Sequence, residues 1–289
     1  MTDLHSHSLF SDGTLAPADL VRLAAEKKVT ALALTDHDTL AGLEEAAEAA
    51  GKVGIRFIPG VELSLDTDRG EFHLLGLGLR LPAPELEEAL FSLRNARDER
   101  NLKMVEKMRQ SGLEVEYGDI QSLAGADGEA GEGLDSGVVG RPHFARFLVN
   151  RGVCRTLPEA FEKFLGRGRP FYEPKRILTL EEALVLLSRA GGLAVVAHPL
   201  SLQLSWENLE ARFDAWSKAG IAGVETLHPS ATRGKTARLE KLARQYGLET
   251  TAGSDYHGAN APGRKLGRTG WGARIPERYD AFLDRLGSR

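Results

Sequence analysis

Near its start the chain reads Asp3-Leu4-His5-Ser6-His7, so His5 and His7 are two residues apart. In an extended strand, residues two apart point to the same face. The spacing therefore sets two imidazoles side by side at the end of a strand. Imidazole nitrogen suits zinc, iron and manganese, and carboxylate oxygen suits the harder of these ions. An HxH pair alone is weak evidence, since two surface histidines fit it equally well. The constraint comes from the rest of the chain, which has only 8 histidines. One apolar, strand-like run after another delivers a metal-type ligand. His37 follows ALALTD, Glu62 lies in IRFIPGVEL, His73 sits in EFHLLGLGL, and His198 ends GGLAVVAH. Asp255 and His257, again two apart, follow TTAGS, and Asp12 completes the first motif in LFSDG.

The spacing of apolar residues predicts a repeating order of strand and helix. A short strand at 1–6 leads to an amphipathic helix at 17–28, opened by Pro17, with Leu20, Val21, Leu23 and Ala24 inward. A buried strand at 29–36, an Ala/Glu-rich helix to about residue 50 and a strand at 55–65 follow. The turn DTDRG and a strand at 71–79 make a hairpin with the last of these. The rhythm then stops. A charged helix at 83–111, a Gly- and acid-rich loop at 123–138, helices at 141–151 and 157–165 and a turn-rich return at 166–175 contain no strand pattern. It resumes at 179 and runs to the end. Alternation of this kind argues for an α/β fold with a mainly parallel sheet. About seven strand–helix units suit a barrel, whose site lies at the C-terminal ends of its strands. The expectation is an α/β, TIM-like barrel from residues 1–80 and 179–289, carrying a helical insertion at 81–178.

Composition narrows the function. A net charge of −4 with pI near 6.1 gives no global basic signature for nucleic acid. With 42% hydrophobic residues the chain can bury a sizeable core. The single cysteine, Cys154, excludes an internal disulfide, and its polar surroundings offer it no partner as a nucleophile. No basic-then-apolar leader pattern and no run long enough to span a membrane are present. These features lead us to expect a cytoplasmic protein with no membrane partner, and nothing indicates a stable protein partner.

DLHSHSLFSDG, LTDHDT, PGVELS, AHP and GSDYH together resemble the PHP (polymerase and histidinol phosphatase) family. The similarity extends into the insertion through SLRNARDERNLKM, GRPHFARFL and GRPFYEPK. It is closest to the stand-alone phosphoesterases of that family, nucleoside bisphosphate phosphatases and 5'-to-3' exoribonucleases among them. The resemblance implies a distorted (β/α)7 barrel, a cluster of two to three divalent metals and hydrolysis of phosphate esters. It also implies the ligand sets. His5, His7, Glu62 and Asp255 would surround a first metal. Glu62 would bridge to a second, held with His73 and His198, and Asp12, His37 and His257 would hold a third. His143 competes with His198 for the second site, and His198 is preferred because it ends a barrel strand while His143 opens a helix. His228 matches no motif and is read as structural or as supporting the ligands from behind. The histidinol-phosphatase branch usually carries histidine where this chain has Asp12. That departure points away from histidinol phosphate and towards a harder metal, manganese first, with zinc or iron as alternatives.

Clustered divalent metals lower the pKa of bound water and clamp developing negative charge. The expected reaction is attack by a metal-activated hydroxide on a terminal phosphate, with Asp12 and His198 as candidates to assist proton transfer. The expected substrate is a nucleotide: a nucleoside 3',5'-bisphosphate, a short 5'-phosphorylated RNA, or both. Arg94, Arg97 and Arg100 fall on neighbouring turns of one helix, and Arg141 opens another. Guanidinium groups bind phosphate bidentately, so Arg97, Arg100 and Arg141, with His143 and Lys175, are the candidate substrate-binding residues. Arg146 adds further charge. Three other readings compete. They are histidinol-phosphate phosphatase, a metal-dependent amidohydrolase, and a non-catalytic accessory module of the polymerase type. No lysine stands at a strand end beside the metal motifs, which weighs against the amidohydrolase. No expected ligand is missing, which weighs against the accessory module.

Overall fold

Seven strands pair in the order of the chain: β1 (Thr2–Asp3), β2 (Ala31–Leu34), β3 (Arg56–Leu65), β4 (Phe72–Leu77), β5 (Leu193–Val196), β6 (Gly223–Leu227) and β7 (Glu249–Ala252). The computed structural model describes residues 1–125 and 139–287. Neighbouring strands run parallel except around β4, which is antiparallel to both β3 and β5. The β3–β4 hairpin is the one exception to the strand–helix alternation read from the sequence. After β7 the chain returns alongside β1. Leu4 N–H donates to Ala252 O at 3.0 Å, Asp255 N–H to His5 O at 2.9 Å and His7 N–H to Tyr256 O at 3.0 Å. The result is a nearly closed seven-stranded barrel of the distorted TIM type.

The barrel closes on alternating strand residues. Ala31 and Ala33, Ile58, Leu75 and Leu77, and Leu193 and Val195 form one buried cluster, joined by Leu4 and Phe282. Period-two spacing sends these side chains to one face, and burying each large aliphatic one contributes roughly 1.5–3 kcal/mol.

The helices begin and end where local chemistry dictates. In the first half these are α1 (Pro17–Glu26) and α2 (Leu43–Val53). They are followed by α3 (Pro84–Gln110), α4 (Tyr117–Gly125), α5 (Arg141–Asn150) and α6 (Leu157–Ala160), the last continuing as a π-turn over Phe161–Leu165. The C-terminal half adds α7 (Leu180–Arg189), α8 (Trp206–Ala219), α9 (Arg233–Gln245) and α10 (Phe282–Gly287). Thr179 and Glu182 cap α7 reciprocally: Glu182 N–H donates to Thr179 Oγ1 at 3.2 Å, and Thr179 N–H to Glu182 Oε2 at 2.8 Å. Gly191, at φ 73°, then carries the chain out of the helix in a conformation that glycine adopts freely. Ser205 and Thr232 cap α8 and α9 from one side only, their hydroxyls accepting the N–H groups of Asn208 and Lys235.

The chain divides into two compact units, Met1–Leu90 with Ile177–Arg289, and Phe91–Arg176. The second unit has its own core. Phe144 and Phe147 are buried there with Met104, Met108 and Leu148, and Phe161 and Phe164 pack against them.

Several expectations need correction. The first strand is two residues long rather than six, and beyond it the chain keeps only isolated pairing, such as Ser6 with Tyr256. Strand β2 spans 31–34 rather than 29–36. In α1, Leu23 is only half-buried, and Pro17 completes the buried stripe with Leu20, Val21 and Ala24. A loop was expected from residue 123, yet α4 continues to Gly125, and the remainder of that stretch lies outside the described residues. The closing segment at 276–287 is a 3-10 turn over Glu277–Ala281 before α10, rather than one helix.

Candidate metal centre

The first unit gathers the strand-end residues into one buried cluster. His5 and His7 present their Nε2 atoms to each other at 3.1 Å, as the two-residue spacing requires. Both face Glu62 Oε2, at 3.1 and 3.2 Å, and Asp255 Oδ1, at 3.3 and 3.2 Å. Glu62, on β3, is the hub. Its Oε1 lies 2.9 Å from His73 Nδ1 and 3.0 Å from His198 Nε2, and its Oε2 lies 3.2 Å from His37 Nδ1. At the rim, Asp12 Oδ1 is 3.1 Å from His257 Nε2, and Asp12 Oδ2 is 3.7 Å from His37 Nε2. Four groups have ligand atoms mutually within 4.8 Å: His7, Asp12, His37 and His257; His5, His7 and Asp255; His5, Glu62 and His198; and His37, Glu62 and His73. All nine residues expected as ligands fall in these groups, while His143 and His228 fall in none among the described residues.

Residues behind the cluster turn the imidazoles towards it. Glu225 on β6 is 1% exposed. Its Oε1 lies 3.1 Å from His5 Nδ1, and its Oε2 accepts the backbone N–H of His198 at 2.8 Å. Glu225 thus accepts the Nδ1 proton of His5 in a hydrogen bond and turns Nε2 towards Glu62 and Asp255, where a metal would take the place of the Nε2 proton. His198 Nδ1 meets Ser201 Oγ at 2.9 Å, which likewise turns Nε2 inward. Asp36 holds the first loop: Oδ1 accepts from Ser8 N–H and from Ser11 Oγ, both at 2.7 Å, and Oδ2 accepts from Ser8 Oγ at 2.6 Å. Asp3 ties β1 to the loop after β7 by accepting the N–H groups of Ser254 and Gly267, both at 2.8 Å. At Gly253 a Cβ would lie 2.2 Å from His5 Cβ, so only glycine lets that backbone pass behind the imidazole.

Charge in the cluster is mutually compensated. Burial alone would raise the carboxyls, but the surrounding imidazoles hold Glu62 well below its ordinary value and lower Asp255 and Asp12 as well. Burial would lower His5 and His7, yet the neighbouring carboxylates raise both, His7 to about 10. His37 stays dominated by burial and falls to about 4. Two ligand-type residues adopt left-handed backbone, His198 at φ 25° and Asp255 at φ 49°. Such conformations cost on the order of 1–3 kcal/mol and persist where surroundings over-determine them.

This donor set fits divalent cations. It is buried apart from its rim at Asp12, and it mixes imidazole nitrogen with carboxylate oxygen, the ligand atoms of each group lying within 4.8 Å of one another. A cavity of about 420 Å³ opens onto it, lined by His37, Glu62, His73, His198, Asp255 and His257 and, on one wall, by Lys235 and Arg264.

The second unit holds the expected substrate residues. Arg97 and Arg100 of α3 are buried, at 9% and 5% exposure, and Arg100 Nε has no hydrogen-bond partner among the described residues. Burial and the nearby Arg141 and Arg97 lower Arg100 to about 10. Arg141 lies over the Tyr172 ring at 5.6 Å. His143 Nδ1 accepts the N–H of Gly140 at 2.9 Å and so caps α5. Lys175 lies in the turn-rich return of the same unit.

Sequence reasoning missed Glu225, Asp36 and the shape of the His228 contacts. The only signal was a glutamate within β6 and a histidine just past it, in VETLH.

Residues 3–123 match the PHP domain family. The chain is 36% identical over 268 residues to a 3',5'-nucleoside bisphosphate phosphatase of Chromobacterium violaceum, covering 92% of this chain and 90% of the relative. It is 34% identical over 271 residues to the 5'-3' exoribonuclease Rnm of Escherichia coli, covering 93% and 89%. A solved structure described as an amidohydrolase from Chromobacterium violaceum, with bound sulfate and no metal, superimposes with a TM-score of 0.76 at 32% identity, covering 99% of this chain and 95% of that one. The chain belongs to the PHP domain family. It is a metal-dependent phosphoesterase, a hydrolase of phosphoric esters.

Proposed function

We propose that the protein hydrolyses a phosphate ester of a nucleotide, either a nucleoside 3',5'-bisphosphate or the end of a short 5'-phosphorylated RNA. The observation that supports this reading is the pairing of chemistries in one chain: nine convergent imidazoles and carboxylates in the first unit, and in the second a buried Arg100 whose charge is disfavoured by burial and by the nearby Arg141 and Arg97. The names of the two relatives favour the same substrate class.

We assign His5, His7, Glu62 and Asp255 to one metal, Glu62, His73 and His198 to a second, and Asp12, His37 and His257 to a third. Two or three divalent ions are proposed, manganese first and zinc or iron as alternatives, because Asp12 adds a hard oxygen at the rim. Divalent metals in such a set would activate water at neutral pH and neutralise charge on a transferring phosphoryl group. The Asp12 side chain is 52% exposed at the rim of the cluster, where it can exchange protons with solvent. His198 has one nitrogen on Ser201 and the other on Glu62, so Asp12 is the stronger candidate for proton movement. Arg97, Arg100 and Arg141, with His143 and Lys175, are proposed to bind the phosphate that does not react, since guanidinium forks match phosphate oxygens. Arg264 and Lys235 on the cavity wall add positive charge beside the cluster. Among the described residues no helix is long and apolar enough to cross a membrane. A cytoplasmic location is part of the proposal, supported by a lone free cysteine.

The test is release of phosphate or nucleotide, with manganese present, from adenosine 3',5'-bisphosphate, a 5'-phosphorylated RNA oligomer and histidinol phosphate in parallel. Preference for the first two supports the reading, and their ratio separates phosphatase from exonuclease. Turnover of histidinol phosphate alone overturns it.

A further inference from the structure

His228 follows β6 and is 4% exposed. Its place at a strand end beside the cluster suggests a tenth ligand, and its hydrogen bonds argue otherwise. Nδ1 accepts the backbone N–H of Ser230 at 3.1 Å, with Ser230 Oγ at 2.7 Å from the same atom. A backbone N–H can only donate, so Nδ1 carries the lone pair. The ring proton is then on Nε2, which lies 2.9 Å from Asp255 Oδ2. In this tautomer the imidazole keeps no free lone pair for a cation.

Asp255 Oδ2 also accepts from the Arg264 guanidinium, which donates to the Asp255 carbonyl oxygen as well, at 3.1 Å. Two donors therefore occupy one carboxylate oxygen. The other oxygen, Oδ1, faces His5 and His7. Asp255 sits at φ 49°, a conformation a non-glycine residue keeps only when its surroundings hold it.

We propose that His228 is a positioning residue rather than a metal ligand: with Arg264 it holds Asp255 so that a single carboxylate oxygen is presented to the metal. This rests on the metal assignment above. It explains why one of the eight histidines stands at the cluster yet outside every group of convergent ligand atoms. Residues of this kind set ligand orientation, and losing one costs about 10–100-fold in metal affinity or activity.

The experiment compares wild type, His228→Ala and His228→Gln for manganese content and for manganese affinity by chelator competition, with kcat and KM on one phosphate ester. Glutamine keeps an N–H donor for Asp255 but is a poor ligand. The expected result is an affinity loss of about 10–100-fold at one site in His228→Ala, with the full ion count restored at saturating manganese. In His228→Gln the loss should fall to within about threefold of wild type. An ion count lowered by one in both variants would make His228 a ligand and overturn the proposal. Unchanged affinity and kcat in a folded His228→Ala would also overturn it. If His228→Ala does not fold, Arg264→Met, which removes the second donor, and His228→Gln decide the matter: wild-type affinity in Arg264→Met contradicts the shared hold on Asp255. Wild-type protein that binds no metal would instead defeat the metal assignment itself.

Discussion

The two units handle charge in opposite ways. In the first, carboxylates and imidazoles lie within hydrogen-bond reach of one another, and each shifts the other towards its charged form. In the second, Arg100 is buried beside Arg97 and Arg141, and its positive charge is disfavoured by burial and by its neighbours. The first arrangement compensates its own charges, and the same donors are able to hold cations. In the second, burial and two neighbouring guanidinium groups disfavour the charge of Arg100, and this is the group proposed to take an anion. A buried charge that is costly in the free protein is a reason to look for its ligand.

The largest expected effect breaks the first region. Glu62 serves several imidazoles at once, so Glu62→Gln should lower kcat by at least about 10³-fold, several kcal/mol of lost transition-state stabilisation, and reduce the ion count. Anion binding by the second unit, read by protection of Tm with inorganic phosphate, should persist. Joint loss of both would show that the regions are not separable.

A smaller effect sharpens the contrast from the other side. Arg100→Met should raise KM for a nucleoside bisphosphate about 10–100-fold, the range for hydrogen bonds to charged groups, with little change for a simple aryl phosphate. Arg141→Ala should show the same selectivity. In phosphate-free buffer Arg100→Met should keep or raise Tm, because it removes a buried, poorly compensated charge. Equal effects on both substrates would remove the claim that these residues grip a second phosphate. Glu225→Gln should fall below these, with metal affinity weakened about tenfold through the loosened His5.

The most graded effect is that of pH. The metal-free cluster raises His7 to about 10, so at neutral pH a proton occupies a site the metal needs. Metal affinity should therefore increase between about pH 6.5 and 10, up to about tenfold per pH unit for each proton displaced, with proton release visible in calorimetry across buffers of different ionisation enthalpy. The stability contribution runs the other way. A folded value raised above the unfolded one stabilises the metal-free protein fully below about pH 6.5, and this is lost as pH rises through about 10. Metal affinity that is flat over this window would contradict the charge pattern of the first region.

The sequence showed the strand ends well, for a physical reason. Strands buried on both faces leave short continuous apolar runs such as ALAL and LAVV, and a polar residue just past such a run stands out. His37, His198 and Asp255 were visible in this way. Glu225 was not, because a glutamate inside VETL looks like an outward-facing strand residue until its partner His5, 220 positions away, is known. Asp36 was hidden as part of the LTDHDT motif, although it supports the loop at Ser8 and Ser11 rather than facing a metal. Helix α4 escaped because Gly118 and short polar spacing give it no clear apolar stripe. The arginines were legible by spacing alone, and their burial was not.

The most direct test of the central claim is to count metals and turnover on one preparation, before stripping, after stripping and after manganese is restored. The account predicts two or three divalent ions per active chain, loss of phosphate-ester hydrolysis with the ions and its return with manganese. Full hydrolysis by protein verified to be metal-free would contradict it.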